Sequence, residues 1–399
     1  MEQATSPLSW TRAASTTDTR DAQMDDEDLT EEQRMLHQTT RQFIEDQLPV
    51  SATRMLHDDP MGYDRTWLSR TADLGWYSML IGEKYGGGSM TGRPLVDLTT
   101  IADSVGRYLQ PGPFITMNVV GAAISEFGTD AQREDLLPKI ATADVVATWA
   151  PFDSVGDWDA GASLEVSRDG EQIVLRGLRG FVPEAQSSDY LLAAGRCDGE
   201  PVQIIVPTET AGLGVEALTC YDLSRRIAEV SFDDVRLPAA TVLGAAETAG
   251  TENLERQLQI AVVLACAETV GALDEMFSMT VEYAKDRIAF GRPIGSFQAL
   301  KHVMADQMLY LESCKAATAE AARVVDRGAG DAAEIASMTA AYVDEHATQI
   351  AQECLQVHGG IGFTWEHDLH LYMRRIRTTT SMWCEKAWHY ERICEVCAL

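Results

Sequence analysis

The spacing of apolar residues changes twice along the chain, and these changes limit the folds that it can adopt. From about residue 28 to 145 apolar residues recur at helical intervals that Gly and Pro interrupt. From about 146 to 243 they alternate with polar residues, as in short strands, and by about 251 the helical interval has returned. The order predicts an α+β fold with a helical domain (28–145), an antiparallel β domain built as a sandwich or barrel (146–243), and a C-terminal helical bundle (244–399).

Short local signals predict where some elements begin or turn. Thr30 and Gln33 have the spacing of a capping box, which is typical of a helix start. Asp169-Gly170 separates two alternating runs and predicts a tight hairpin. Asp331 is predicted to cap a helix that runs to about His358.

Charge and cysteine content argue against several classes of protein. The formal net charge of −29 argues against nucleic acid as a partner. No run of eighteen apolar residues occurs, so no transmembrane helix is expected, and the N-terminus lacks the pattern of a secretory signal. Eight scattered cysteines fit a reduced, cytoplasmic environment, and Cys394 and Cys397 have no second pair to complete a zinc site, so no metal site is predicted. Residues 1–27, rich in Ser, Thr, Asp and Arg, are expected to form a disordered tail.

The segment Tyr283–Gln298 carries side chains suited to a nucleotide, at the junction of two predicted helices. It contains Arg287, a Phe-Gly turn at Phe290, and Gln298. The guanidinium of Arg287 is permanently charged, and its forked donors match the oxygens of a pyrophosphate. Taken alone, Arg287 would be interpreted as a surface ion-pair residue.

A second segment, Gln356–Phe363, follows another long predicted helix. Gly359 and Gly360 have no Cβ atoms, so backbone amides there can approach anionic oxygens closely. Gln356 offers neutral donors and acceptors. A Gly-Gly pair alone would be interpreted as a helix end, but the two segments in this order favour a nucleotide site.

The two segments, with the stretch from Leu74-Gly-Trp-Tyr77 to Gly88, resemble the acyl-CoA dehydrogenase flavoproteins over roughly residues 28 to 375. Residues 356–367 and 106–114 are most similar to actinobacterial members that oxidise steroid side-chain or other bulky acyl-CoAs. The resemblance implies an acyl-CoA dehydrogenase fold with a C-terminal four-helix bundle, FAD as cofactor, an acyl-CoA substrate and an electron-transfer acceptor.

In that family two neighbouring subunits share each FAD, so the resemblance also implies roles for particular residues. One subunit cradles the isoalloxazine ring, and the other reaches over with arms that hold the ADP part. The residues that match these arms are Arg287, Phe290, Gln298, Gln356, Gly359 and Gly360.

Neither position that carries the catalytic glutamate in that family holds a carboxylate in this chain. Counting along the sequence places Trp383 at one position and Ala261 at the other. Glu385 would reach the first position after a two-residue shift and is therefore a candidate base. A solvated charge is the simpler interpretation of Glu385 and of Glu255. Glu268 is interpreted as a helix-contact residue, whose pKa burial would raise.

The loops that face the flavin ring in that family are altered as well. In the stretch 149–157 only Pro151 aligns securely with the family pattern. Pro183 stands where a threonine normally bonds the flavin near N5, and proline donates no hydrogen bond. The ring cradle is therefore altered while the arms are retained.

An altered ring cradle together with retained arms favours one function and leaves others open. We expect an FAD-dependent acyl-CoA dehydrogenase subunit that lacks the base and contributes its arms to a second, similar subunit, as in α2β2 members of the family. Association with itself as a dimer or tetramer is also open. The helix after Gly295 carries a long apolar stripe, so we expect the C-terminal bundles to associate in pairs. The alternatives are other chemistry on the same fold, such as a flavin monooxygenase or a desulfinase-like enzyme, and a protein without flavin.

Overall fold

The structure is a computed structural model that describes residues 29–153, 155–156, 158, 163–244 and 250–397. The predicted disordered tail, 1–27, lies outside the described residues. Among the described residues, no helix is long and apolar enough to cross a membrane.

The N-terminal region is helical, as predicted. Its first helix begins with the expected capping box, in which the Gln33 amide donates to Thr30 Oγ1 at 3.2 Å and the Thr30 amide donates to Gln33 Oε1 at 3.1 Å. The six helices are α1 (Glu31–Gln47), α2 (Val50–Met55), α3 (Arg65–Asp73), α4 (Pro94–Arg107), α5 (Phe114–Phe127) and α6 (Asp130–Ala141).

The central region forms one seven-stranded sheet. Its strands are β1 (Ala147–Ala150), β2 (Leu164–Asp169), β3 (Gln172–Pro183), β4 (Tyr190–Cys197), β5 (Glu200–Pro207), β6 (Leu213–Leu218) and β7 (Ile227–Pro238). They lie in the order β1-β4-β2-β3-β7-β6, and β5 pairs with β4. The predicted hairpin joins β2 to β3, with Asp169 opposite Gln172 and Gly170 in the left-handed region at φ +63°.

The prediction of a purely antiparallel domain needs one correction. The pairs β2–β3, β3–β7, β4–β5 and β6–β7 are antiparallel, but β4 runs parallel to both β1 and β2. A tight hairpin forces its two strands to be antiparallel, whereas strands joined through longer connections are free of that constraint. The hairpin signal in the sequence predicts only antiparallel pairs, so it gave no indication of the parallel pairs that β4 forms.

The C-terminal region is helical again. It comprises α7 (Gly250–Asp286), the two-residue strands β8 (Ile288–Ala289) and β9 (Arg292–Pro293), α8 (Gln298–Asp326), α9 (Ala332–His358), α10 (Leu369–Met382) and α11 (Lys386–Val396). The predicted limits at Asp331 and His358 agree with those of α9, but the predicted cap is not formed, because the Asp331 side chain makes no capping hydrogen bond. Helix α7 packs against α4, α8, α9 and α10, so the bundle is built around it.

A close contact between two helices joins the N-terminal helices to the bundle. A Cβ atom on Gly106 of α4 would lie 1.8 Å from the Glu268 carbonyl oxygen. A Cβ atom on Gly271 of α7 would lie 2.0 Å from the Asp103 carbonyl oxygen. Only glycine permits this approach. The helices consequently share one apolar core, while the sheet has a second core of its own.

The predicted domain limits, 28–145, 146–243 and 244–399, stay a prediction. The change from helix to strand lies between α6 and β1, and the return to helix lies between β7 and α7.

Candidate functional site

The first segment that is predicted to bind a nucleotide forms a small hairpin at the end of α7. Strands β8 and β9 pair through Ile288 with Pro293 and Ala289 with Arg292. Phe290 occupies the turn with φ +52° and is 95% exposed. The side chain of Arg287 is exposed at the base of the hairpin.

A ring contact brings together the two segments that are predicted to bind a nucleotide. The ring of Tyr283, one turn before Arg287, stacks on His358 with centroids 4.4 Å apart and planes 19° from parallel. His358 is the last residue of α9, so Gly359 and Gly360 follow it directly. Two segments that are distant in sequence therefore form one surface.

The glycines of the second segment leave open space in front of the backbone. A Cβ atom on Gly360 would meet no heavy atom within 4 Å, and its φ lies outside the left-handed region. The packing of the described residues therefore does not require glycine at this position. Gly359 needs glycine for its own conformation, at φ +61°. An open, Cβ-free backbone suits the close approach of an anionic group.

The charge around these segments differs from that of the chain as a whole. Arg287, Arg292 and Lys301 form no ion pair with any residue that the structure describes, although the net charge is −29. The Arg292 guanidinium lies 4.1 Å from the centroid of the Phe297 ring. Gln298 starts α8 beside this cluster and is exposed, as is Gln356 on the last turn of α9. The surface thus offers free cations to an anion.

Large apolar side chains are exposed around the same surface and along α8. The exposed residues are Ile288, Phe290, Met308, Leu309, Ile361, Phe363 and Trp365. Of the apolar stripe that was predicted on α8, Leu311 is buried, whereas Met308 and its neighbour Leu309 are 37% and 64% exposed. Exposed apolar surface of this extent is typical of protein interfaces.

A separate cavity of about 890 Å³ lies between the sheet and helices α10 and α11. Its apolar side chains come from both sides: Phe152, Trp158, Phe181, Leu218, Ile227, Met373, Met382 and Trp388. Its polar side chains include Thr219, Cys220, Arg377, Thr378, Ser381 and Glu385. A cavity that is largely apolar with a few polar groups is typical of a small-molecule site.

Two ionisable groups of the cavity are limited by their surroundings, Arg377 by hydrogen bonds and Cys220 by burial. Arg377 donates to Asp344 at 3.2 Å and to Thr348 Oγ1 at 2.7 Å. Burial raises the pKa of the Cys220 thiol to about 11, and the nearby Asp222 carboxylate adds to this increase. The Cys220 thiol is therefore protonated at neutral pH, and a protonated thiol is a poor nucleophile.

The two positions that are predicted to match the family's catalytic base both lie in the apolar core. Trp383 is 3% exposed and its indole stacks on that of Trp149, with centroids 5.7 Å apart and planes 16° from parallel. The two indole N–H groups have no hydrogen-bond partner among the described residues. Ala261 is fully buried in α7. Neither position can deliver a carboxylate to the cavity.

The three glutamates considered as replacements have different environments. Glu385 is exposed, directly precedes α11 and lines the cavity, so it stays a candidate base. Glu255 forms an ion pair with Arg392. Glu268 is fully buried and contacts Arg225, Arg375 and Thr379.

The environment of Glu268 corrects the expected direction of its pKa shift. Burial alone would raise the pKa of this carboxyl, but the Arg225 and Arg375 guanidinium groups outweigh burial and hold the pKa below its ordinary value. Glu268 is therefore an ionised helix-contact residue. The interpretation as a contact residue fits this geometry, and a general-base role does not.

The stretch around Pro183, predicted to match a loop that faces the flavin ring, has no donor at this residue. The Pro183 carbonyl oxygen accepts a hydrogen bond from Thr148 Oγ1 at 2.6 Å, and its nitrogen carries no hydrogen. Phe181 lines the cavity with φ +50°, a conformation that is uncommon for a bulky residue. The matching stretch 149–157 includes residues 154 and 157, which lie outside the described part of the chain.

Sequence reasoning missed a buried ionic cluster next to the cavity. It joins Glu184, Asp222 and Arg225 from the β region to Glu268 of α7 and Arg375 of α10. All five side chains are at least nine-tenths buried. One signal in the sequence could have indicated this cluster. Three arginines, at 374, 375 and 377, lie close together within a helix whose other face is apolar.

No group of three or more His, Cys, Asp or Glu side chains in the described ranges could hold a metal ion.

Comparisons with known proteins agree with this architecture. The family model described as acyl-CoA dehydrogenase, N-terminal domain, matches residues 30–144, and the one described as acyl-CoA dehydrogenase, C-terminal domain, matches residues 248–383. Acyl-CoA dehydrogenase IpdE2 of Mycolicibacterium smegmatis is 29% identical over 348 residues, which cover 87% of this chain and 93% of that protein.

Two solved structures are similar over most of the chain. A chain of a Tcur3481-Tcur3483 steroid ACAD variant superposes with a TM-score of 0.83 at 25% identity, covering 92% of this chain and 98% of that one. A chain of the ChsE4-ChsE5 complex from Mycobacterium tuberculosis superposes with a TM-score of 0.83 at 22% identity, covering 93% and 98%.

Proposed function

Since the chain belongs to the acyl-CoA dehydrogenase family, we propose that it takes part in the FAD-dependent α,β-dehydrogenation of an acyl-CoA thioester. Within this reaction we assign it the part of a base-lacking subunit. It contributes Arg287, Gln298 and the Gly359-Gly360 turn to the FAD of a second, glutamate-bearing subunit.

The observation that carries this proposal is the contrast in exposure between the two halves of the site. The arms are exposed on one surface and carry cations without ion-pair partners in the described chain. The base positions, Trp383 and Ala261, are buried in the core. A subunit that contributes these arms to its partner's FAD, and has no base of its own, needs exposed arms and needs no carboxylate at the two base positions.

The residues of the arms fit the ADP part of FAD. Arg287 would bind the pyrophosphate through charge-assisted hydrogen bonds. The open backbone at Gly360 would let amide groups approach the phosphate oxygens, because no Cβ intervenes. FAD, when bound, supplies the hydride acceptor of the reaction. The α-proton must go to a carboxylate of the partner, since the inherited positions in this chain hold none.

The partner would cover the exposed apolar surface. Phe290, Leu309 and Phe363 are 95%, 64% and 70% exposed. Burying such side chains in a protein–protein contact is favourable, and an obligate interface is typically apolar. The name of the similar structure at 25% identity, Tcur3481-Tcur3483, pairs two different chains, which supports a heteromeric assembly for this chain as well.

The cavity suggests that this chain also takes up an acyl group itself, and it indicates the class of that group. Its volume of about 890 Å³ and its aromatic lining suit a bulky apolar group. A solved relative at 25% identity is named a steroid ACAD, which agrees with a polycyclic acyl group. An electron-transfer acceptor would reoxidise the assembly.

The proposal is tested by purifying the chain alone, its glutamate-bearing homologue from the same genome alone, and the two together. We expect flavin absorbance and ferrocenium-coupled acyl-CoA oxidation in the co-purified pair. Flavin absorbance with strong turnover by the lone chain would contradict the assigned role.

A second candidate function follows from the same buried base positions together with the cavity. Chemistry that needs no α-proton base, such as that of a flavin monooxygenase or a desulfinase-like enzyme, would use the cavity of this chain directly. Oxygen consumption that depends on an added flavin reductase, or sulfite release from a sulfinyl thioester, would favour this alternative.

A further inference from the structure

The loop between β6 and β7 forms one wall of the cavity entrance. Thr219, Cys220 and Tyr221 line the cavity from this loop, and Met373 and Met382 line it from α10. Tyr221 is 55% exposed, so its side chain lies at the mouth and not in the interior. The position of this loop therefore sets the width of the entrance.

Arg374 holds Tyr221 in two ways. Its guanidinium lies 4.7 Å from the centroid of the Tyr221 ring, and its Nη1 donates to the Tyr221 carbonyl oxygen at 3.0 Å. Arg374 forms no ion pair within the described ranges, so its charge is directed to the ring and the carbonyl group. One side chain thus restrains both the backbone and the ring of Tyr221.

The next residue, Arg375, holds the loop from the buried side. Its Nε donates to Asp222 Oδ2 at 2.5 Å, and its Nη2 donates to Ser224 Oγ at 2.6 Å. Its Nη1 donates to Glu268 Oε1 at 3.0 Å, which ties the loop to α7. The guanidinium is fully buried. Arg375 therefore holds the loop from the buried side, while Arg374 holds the Tyr221 ring on the exposed side.

We infer that Tyr221 is a specificity-determining residue, which Arg374 holds across the mouth of the cavity and for which Arg375 positions the loop. Tyr221 then discriminates between acyl groups by their width as they pass the entrance. The inference rests on the proposed function, since it requires that the cavity takes up an acyl thioester.

The test measures the dissociation constants of two thioesters by isothermal titration calorimetry. One is octanoyl-CoA, which is linear, and the other is the CoA thioester of 3-oxo-4-cholenoic acid, which carries four fused rings. The full chain is used alone and with its partner. Because the partner is unchanged, any difference between variants arises from this chain.

We expect Tyr221→Ala to shift the ratio of the two dissociation constants about tenfold in favour of the steroid thioester, a typical effect of a small change in an apolar pocket. Arg374→Gln should shift the ratio in the same direction, because it releases the ring. Tyr221→Phe keeps the ring and should leave the ratio unchanged. Tyr390→Ala is the matched control, since Tyr390 is 44% exposed and its hydroxyl donates to Glu345 at 2.8 Å away from the cavity.

An unchanged ratio in Tyr221→Ala would overturn the inference while leaving the proposed function intact. An equal shift of the ratio in Tyr390→Ala would also overturn the inference, because the loss of any exposed tyrosine would then have the same effect as the loss of Tyr221. A wild-type chain that binds neither thioester, alone or with its partner, would overturn the proposed acyl-CoA site and the inference together.

Discussion

The indole of Trp383 lies on the indole of Trp149, with ring centroids 5.7 Å apart and planes 16° from parallel. Trp383 directly follows the last residue of α10, and Trp149 lies on β1, so the contact joins the end of α10 to the sheet. In this arrangement Trp383, which is predicted to match the position of a catalytic glutamate, belongs to the core. It does not line the described cavity.

We predict that Trp383→Glu does not give the lone chain dehydrogenase activity. The new carboxyl group would lie in an apolar core without a partner, where it would be held protonated at a large cost in stability. Loss of the buried indole alone typically costs about 3–5 kcal/mol. Urea unfolding monitored by circular dichroism should show this loss, and Trp383→Phe, which keeps an aromatic ring, should lose less. Turnover by Trp383→Glu without a partner would contradict the prediction.

We predict that Arg287→Ala weakens the retention of FAD in the assembly that this chain joins. The substitution removes one permanent charge near a pyrophosphate, and a hydrogen bond to a charged group contributes about 1.5–3 kcal/mol. We therefore expect FAD to bind about tenfold to a hundredfold more weakly, measured as flavin absorbance after dialysis. Arg327→Ala is the control, since Arg327 is an exposed arginine that follows the other end of α8. Equal flavin occupancy in Arg287→Ala and Arg327→Ala would make Arg287 a surface residue only.

Local signals allowed the sequence to predict part of this structure. The capping box at Thr30, the hairpin at Asp169-Gly170 and the limits of α9 depend on residues that are close in sequence. Hydrogen bonds of caps and turns are formed within a few residues, so their residue types are diagnostic.

Features that depend on tertiary contacts could not be predicted in the same way. The parallel pairings of β4, the stacking of Trp149 on Trp383 and the pKa of Glu268 each require two distant segments to meet. For Glu268, burial was foreseen, but the two arginines that reverse its effect on the pKa come from positions 225 and 375. A pKa depends on the partners of a group as much as on its burial.

We predict that Glu184→Gln stabilises the chain at alkaline pH. Burial raises the pKa of Glu184 from its ordinary value of 4.5 to about 7, although Arg225 and Arg226 oppose the increase. Since the folded pKa is higher than the unfolded one, the folded state loses stability as the pH rises from about 4.5 to 7, and the loss is complete above that window. The amide side chain that this substitution introduces carries no charge and avoids the loss, so we expect a gain on the order of 1–3 kcal/mol at pH 8 and little gain at pH 4.5.

The measurement is urea unfolding of both proteins at several pH values between 4.5 and 8. Glu209→Gln serves as the control, because Glu209 is exposed in a turn. A difference between Glu184→Gln and the wild type that does not depend on pH would show that the carboxyl group of Glu184 is not the source of the effect.

The last prediction concerns activity. The chain alone should not dehydrogenate acyl-CoA at a useful rate, because Trp383 and Ala261 cannot accept a proton and are buried. General-base catalysis typically contributes about 10²–10⁴-fold, so the lone chain should be slow and the pair fast. The measurement is ferrocenium-coupled turnover of the lone chain, of the pair, and of the pair carrying Glu385→Gln in this chain. Glu385 is the decisive residue because it is the exposed carboxylate that lines the described cavity. If the lone chain turned over rapidly and Glu385→Gln abolished that activity, Glu385 would be the base, and the chain would be a complete enzyme in place of a supporting subunit. We expect instead that the pair keeps its full rate when Glu385 is replaced, because the carboxylate that removes the α-proton belongs to the partner.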